Sequence, residues 1–114
     1  MANSQIIITL NGDIGFVRII GEGTVQNALY LKKSWQNLYA EGVNRFVFDL
    51  AECTLLDSTF LGTLLGLALK LKEARQGQLH VLNANPQVSQ LLKNLGLDRL
   101  FHLGTGTDSP TSSE

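Results

Sequence analysis

Apolar residues recur along this chain at two different periods, and the period changes several times. Gln5 to Leu10 (QIIITL) is rich in β-branched residues and predicts a strand. Asn11-Gly12-Asp13 follows as a hairpin-turn signal, so Ile14 to Ile20 (IGFVRII) is expected to return antiparallel to it. Gly21-Glu22-Gly23 is expected to break this second strand. The period then becomes helical: Ala28, Leu31, Trp35 and Leu38 form one stripe on a helix predicted from Val25 to about Glu41. Thr24 stands where a cap belongs, and Gly42 where a left-handed residue closes the helix.

Arg45 to Leu50 (RFVFDL) is almost wholly apolar, as a strand covered on both faces would be, with Ala51 to Leu56 as a connection. A second helix is predicted from about Thr59 to Arg75, stopped by Gln76-Gly77-Gln78. Leu79 to Leu82 (LHVL) predicts a fourth strand. Asn85-Pro86 then reads as a cap followed by proline at the first helical position. Val88, Leu91, Leu92 and Leu95 should bury that short helix, which ends at Gly96, and Arg99 to Leu103 predicts a last short strand.

After the opening hairpin, strands and helices alternate, which implies right-handed crossovers and largely parallel strands. The expected fold class is α/β: one domain over residues 1–104, with a mixed, mostly parallel sheet of four to five strands. An N-terminal β-hairpin opens it, and three to four helices pack on it. Residues 105–114 (TGTDSPTSSE) are small and polar and are expected to form a disordered tail.

The bulk numbers narrow the function classes. A chain of 114 residues with 44% hydrophobic residues suffices for one core. The formal net charge of -1 provides no global field for nucleic acid or an anionic membrane. Apolar runs are too short to span a bilayer, and the first five residues (MANSQ) lack a signal-peptide pattern, so a cytoplasmic protein is expected. A single cysteine, Cys53, excludes an internal disulfide and is expected to be half-buried. Neither a metal site nor a cofactor is indicated.

The candidate chemistry gathers at Leu55 to Gly66 (LLDSTFLGTLLG), where three polar residues interrupt two apolar runs. Ser58 has two compatible roles there. It can accept a backbone N–H as a helix cap, or present its hydroxyl for modification. A helix start also favours negative charge, so a phosphoryl group on Ser58 would be carried without unfolding the domain. At about 100° per residue, Thr59, Gly62, Thr63 and Gly66 fall on the arc opposite the apolar stripe. A glycine inside a helix is unfavourable by about 0.5–1 kcal/mol relative to alanine. The pair is therefore expected either to make a flat docking strip or to pack against a neighbouring helix.

Asp57-Ser58-Thr59, followed by Leu61-Gly62 and Leu64-Leu65-Gly66, resembles the signature of STAS domains of the anti-sigma factor antagonist type. The likeness extends over residues 5–103, through Phe46-Val47-Phe48-Asp49-Leu50, Gly77 before the Leu79 strand, and Leu91-Leu92 leading to Leu95-Gly96-Leu97 and Phe101. The resemblance implies that Ser58 is phosphorylated by a serine kinase that doubles as an anti-sigma factor, and that a serine phosphatase reverses this. Unphosphorylated antagonist binds the kinase and phosphorylated antagonist releases it. Asp57 would orient the hydroxyl or contact the kinase, and Thr59 is a neighbouring hydroxyl. By the same resemblance, Gly21, Glu22, Gly23 and Thr24 border the partner surface, together with Asn11 to Asp13. Two departures stand out. Phe60 replaces a usual glycine, and Gly21-Glu22 is followed by Gly23-Thr24 rather than by an apolar residue and aspartate. Some relatives serve signalling complexes whose target is not a sigma factor.

Other readings are weaker. A serine enzyme needs a base, and His80 and His102 are expected within strands, while the Gly-x-Ser-x-Gly elbow is missing. Gly21 to Thr24 joins a strand to a helix as phosphate loops do, yet it has neither a third glycine nor the P-loop lysine. Asp49 is expected at a strand end near Asp57, too few carboxylates for a metal. Trp35 and Tyr39 are expected as core and rim.

Overall fold

The computed structural model describes residues 4–73, 77–97 and 102–104. Its elements run β1 (Gln5–Asn11), β2 (Ile14–Gly23), α1 (Val25–Ala40), β3 (Arg45–Leu56), α2 (Ser58–Glu73), β4 (Gln78–Leu82), α3 (Pro86–Asn94) and β5 (His102–Gly104). The expected last turn of α2 through Arg75, residues 99–101 of the last strand, and the tail 105–114 lie outside the described residues.

The five strands lie side by side in chain order. β1 and β2 are antiparallel, joined by the two-residue loop Gly12-Asp13, and the remaining pairs are parallel. One face carries the main core. Val17 and Ile19 of β2, Phe46, Phe48 and Leu50 of β3, and Leu79 and Val81 of β4 pack there against all three helices. On the other face Ile14, Val47 and Leu82 form a small cluster with Phe16 against it, and no helix of the described residues joins them.

Two expectations about strand ends are corrected. β2 continues through Gly21-Glu22-Gly23, and β3 runs on through Ala51–Leu56 instead of stopping at Leu50. The register shows why. It shifts between Arg18/Ile20 and again between Gly21/Glu22, each time with one extra residue in β3. A bulge moves the inward position by one. Phe46, Phe48 and Leu50 therefore face the core at even numbers, Cys53 at an odd number, and Leu56 again at an even one. Two compensating bulges erase the alternation by which the strand would have been recognised.

The helix ends largely follow local chemistry. α1 closes with Gly42 at φ 104, its N–H bonded to Tyr39 O and that of Val43 to Leu38 O, the double bond of a left-handed cap. α3 begins as expected: Asn85 Oδ1 accepts the Val88 N–H at 2.7 Å, with Pro86 in the first turn. Val88 and Leu92 are buried and Leu91 partly so, but Leu95 is 54% exposed because it follows the last helical residue and swings off the stripe.

Candidate functional site

The junction between β3 and α2 is fixed by Asp57. Its N–H donates to Gly23 O at 2.9 Å, tying the end of β3 to the end of β2. Its Oδ1 accepts the Phe60 N–H at 2.8 Å, and its carbonyl accepts the Leu61 N–H at 2.9 Å. Asp57 is thus the N-cap, with the carboxylate on the third helical N–H. The cap expected of Ser58 belongs to its neighbour, so that carboxylate oxygen is committed to the backbone.

Ser58 is left as the first helical residue, exposed, and among the described residues its hydroxyl has no hydrogen-bond partner. The first turn holds no acidic side chain, so the positive end of the helix is met only by the Asp57 cap. Thr59 is exposed beside it, and its carbonyl accepts the Thr63 hydroxyl at 3.3 Å.

Gly62 and Gly66 are exposed, and a Cβ built on either would meet nothing within 4 Å. The alternative of close packing on a neighbouring helix is thereby removed. The two glycines join Thr59 and Thr63 along one wall of a shallow groove of about 230 Å³, whose other wall is Lys32 and Trp35 of α1. Trp35 is 6% exposed, its ring meets Tyr39 edge-on, and its Nε1 is buried with no acceptor among the described residues. A buried donor left unpaired is unfavourable by about 1–3 kcal/mol. Sequence reasoning assigned Trp35 to the core; its place in this groove depends on how α1 lies along α2, which no pattern within α1 reveals.

The segment Gly21 to Thr24 does border the site. Gly23 is paired with Leu56 and bonded to Asp57. Glu22 N–H donates to Ser4 Oγ at 3.3 Å, and Glu22 O accepts Asn27 Nδ2 at 3.2 Å. Thr24 occupies the N-cap of α1 without capping it, because its hydroxyl donates to Asn27 Oδ1 instead. A Cβ on Gly23 would fall 2.6 Å from Leu56 Cδ2 and 3.0 Å from Phe60 Cγ. Phe60 is fully buried, so its bulk is directed inward beneath Gly23 and away from the exposed first turn.

Asn11 to Asp13 do not border the site. Asn11 pairs with Ile14, and Ile14 with Arg45 at the start of β3, whereas Asp57 follows its end. Asp49 is likewise not at a strand end. It lies within β3, where Oδ1 accepts the Ala51 N–H at 3.0 Å, at the first bulge, and Asn83 Nδ2 at 3.2 Å. His80 pairs with Val47, on the face away from α2, with Nε2 3.1 Å from Gln78 Oε1. His102 is described only as a strand residue. Among the described residues, no three His, Cys, Asp or Glu side chains gather as metal ligands. Cys53 is buried more deeply than expected, and that burial pushes its thiol pKa up. No helix of the described residues is long and apolar enough to cross a membrane.

This arrangement, an exposed serine at the start of a helix that packs on a mixed sheet, describes a STAS-like domain. The STAS domain family model matches residues 5–109, and the chain belongs to that family. An anti-sigma-B factor antagonist of Staphylococcus epidermidis is 27% identical over 106 residues, covering 93% of this chain and 97% of the relative. Among solved structures, an anti-sigma factor antagonist from Mycobacterium paratuberculosis superposes with a TM-score of 0.77 at 22% identity, covering 90% of this chain and 86% of that one. The Bacillus cell fate determinant SpoIIAA in its phosphorylated form gives 0.71 at 18%, covering 93% and 95%.

Proposed function

We propose that the chain is a phosphorylation-controlled binding module, an anti-sigma factor antagonist without catalytic activity of its own, acting in the cytoplasm. Unmodified, it holds a serine-kinase anti-sigma factor. That partner phosphorylates Ser58 and lets go, and a serine phosphatase resets the cycle. One observation carries the reading: Ser58 is exposed and its hydroxyl unengaged, because Asp57 performs the capping. Modification of Ser58 therefore breaks no structural bond. The added dianion sits at a helix start, where negative charge is favoured by about 0.3–1 kcal/mol, so the fold tolerates it. Recognition does not tolerate it, because about two charges appear beside Thr59 and the strip Gly62, Thr63, Gly66. The names of the relatives, and the phosphorylated form in which SpoIIAA was solved, support the assignment.

The test is intact-mass measurement of the protein from its native host, with fragmentation to locate the modification. A single phosphoryl group on Ser58 is expected. Phosphate confined to another residue, or an unmodified chain under every growth condition, refutes the switch.

A further inference from the structure

We propose that β1 is a self-association edge, on which a second copy of this chain pairs its own β1. The two strands run antiparallel about a two-fold axis at Ile8, joining two five-stranded sheets into one. The inference goes beyond the reading of Ser58 and uses none of the residues around it.

β1 stands at one end of the sheet order, and no strand of the described residues pairs beyond it. An open edge is ordinarily guarded by charge, proline, a bulge or shortness. β1 has none of these guards. Its seven residues, QIIITLN, include no charge and no proline, and its register against β2 runs unbroken from Gln5↔Ile20 to Asn11↔Ile14. Ile7 and Leu10 are 44% and 50% exposed on it.

Backbone parity decides which groups point outward, because successive residues of a strand bond alternately to either side. Glu22 N–H reaches Ser4 Oγ on the β1 side, and Gly23 O accepts the Asp57 N–H on the β3 side. Even positions of β2 therefore address β1, and their partners are Gln5, Ile7, Thr9 and Asn11. Ile6, Ile8 and Leu10 are left with N–H and C=O directed at the open edge.

The occupant that fits this edge is the edge itself. With the axis at Ile8, Ile8 meets its own counterpart, Ile6 meets Leu10, Ile7 meets Thr9 and Gln5 meets Asn11. Apolar side chains face apolar or β-branched ones, amide faces amide, and no like charges oppose, as stable cross-strand pairs require. The outward N–H and C=O groups of the two copies fall opposite one another in the same register. An uncharged edge offers a charged strand nothing to pair with, whereas a second copy matches at every position. Seven paired residues make a smaller contact than the roughly 800 Å² per partner of a standard interface, so the association is weak and concentration-dependent.

The test is sedimentation equilibrium of the full, unmodified chain from micromolar to millimolar concentration, with amide hydrogen exchange followed in parallel. The average mass should climb from 12.5 kDa towards twice that value. The amides of Ile6, Ile8 and Leu10 should gain protection with concentration, while those of Ile7 and Thr9, already bonded to β2, should not. Thr9→Lys sets a lysine on each side of the axis at an exposed position and should weaken association about tenfold. Leu10→Pro deletes an outward N–H without taking a bond from β2, and should weaken it about as much. A monomer at millimolar concentration, or a dimer indifferent to Thr9→Lys, overturns the proposal. So does a dimer in which the Ile6, Ile8 and Leu10 amides stay unprotected. Protection of those amides at every concentration would place another segment of the chain on the edge, and overturns it equally. Should a variant fail to fold, the exchange pattern of the parent chain decides. Ser58 takes no part, so failure here is separate from failure of the phosphorylation switch.

Discussion

Gly23 and Phe60 compete for one space: a Cβ on Gly23 would stand 3.0 Å from Phe60 Cγ, with Leu56 Cδ2 closer still at 2.6 Å. These are the two places where the chain departs from the pattern it resembles, and they touch. A residue with no side chain at the end of β2 leaves room for the buried phenyl ring in the first turn of α2. Beside this contact the Asp57 N–H donates to Gly23 O at 2.9 Å.

Substitution at that contact should therefore be costly and coupled. Gly23→Ala is expected to destabilise the domain by about 1–3 kcal/mol through overpacking. Combining Gly23→Val with Phe60→Ala should be less destabilising than the sum of the two single changes. Urea denaturation of all four proteins measures the coupling, and strict additivity would show that the ring moves aside freely.

Asp57 and Ser58 should separate by stability. Asp57→Ala removes the cap on Phe60 N–H and should lower stability by about 1 kcal/mol, with Asp57→Asn restoring most of it. Ser58→Ala removes an unengaged hydroxyl and should change stability by less than about 0.5 kcal/mol. Chemical denaturation resolves the difference. The reverse ranking would return the cap to Ser58.

The charge mimic tests tolerance directly. Ser58→Asp should leave the far-ultraviolet dichroism and the cooperativity of melting unchanged and weaken partner binding. Unfolding of this variant would mean the position is structural.

Gly66→Ala adds a methyl group to open space on a helix. It should stabilise the free protein by about 0.5–1 kcal/mol and reduce docking in the groove. Thermal melting with a binding assay gives both signs. A loss of stability would reveal a neighbour packed on that face.

Cys53 supplies a pH-dependent signal. Burial raises its thiol pKa in the folded state above the unfolded value. At alkaline pH the unfolded chain releases this proton first, so the folded state binds more protons and stability falls as pH rises. The contribution is fully present below about pH 8.5 and is lost as pH climbs through the folded pKa. Cys53→Ala should show a shallower alkaline loss of stability than the parent, measured by denaturation between neutral and alkaline pH.

Local order was legible wherever short-range geometry decides it. The Asn85-Pro86 start, the Gly42 closure and the α1 stripe each follow from residues within a few positions of one another, because caps and helical faces are built from neighbours. The serine at the opening of α2 was legible for the same reason. What tertiary structure alone decided depends on residues far apart in the chain. The bulges that extend β3 to Leu56 are set by its register against β2, and they hide the strand from any test of alternation. Whether Ser58 or Asp57 caps the helix was settled by where β2 anchors Asp57 through Gly23 O. The openness of Gly62 and Gly66, and the groove they share with Trp35, arise from the spacing of two helices whose facing residues lie two dozen or more positions apart. Packing fixes such relationships, and packing is a property of the assembled core rather than of any segment in it.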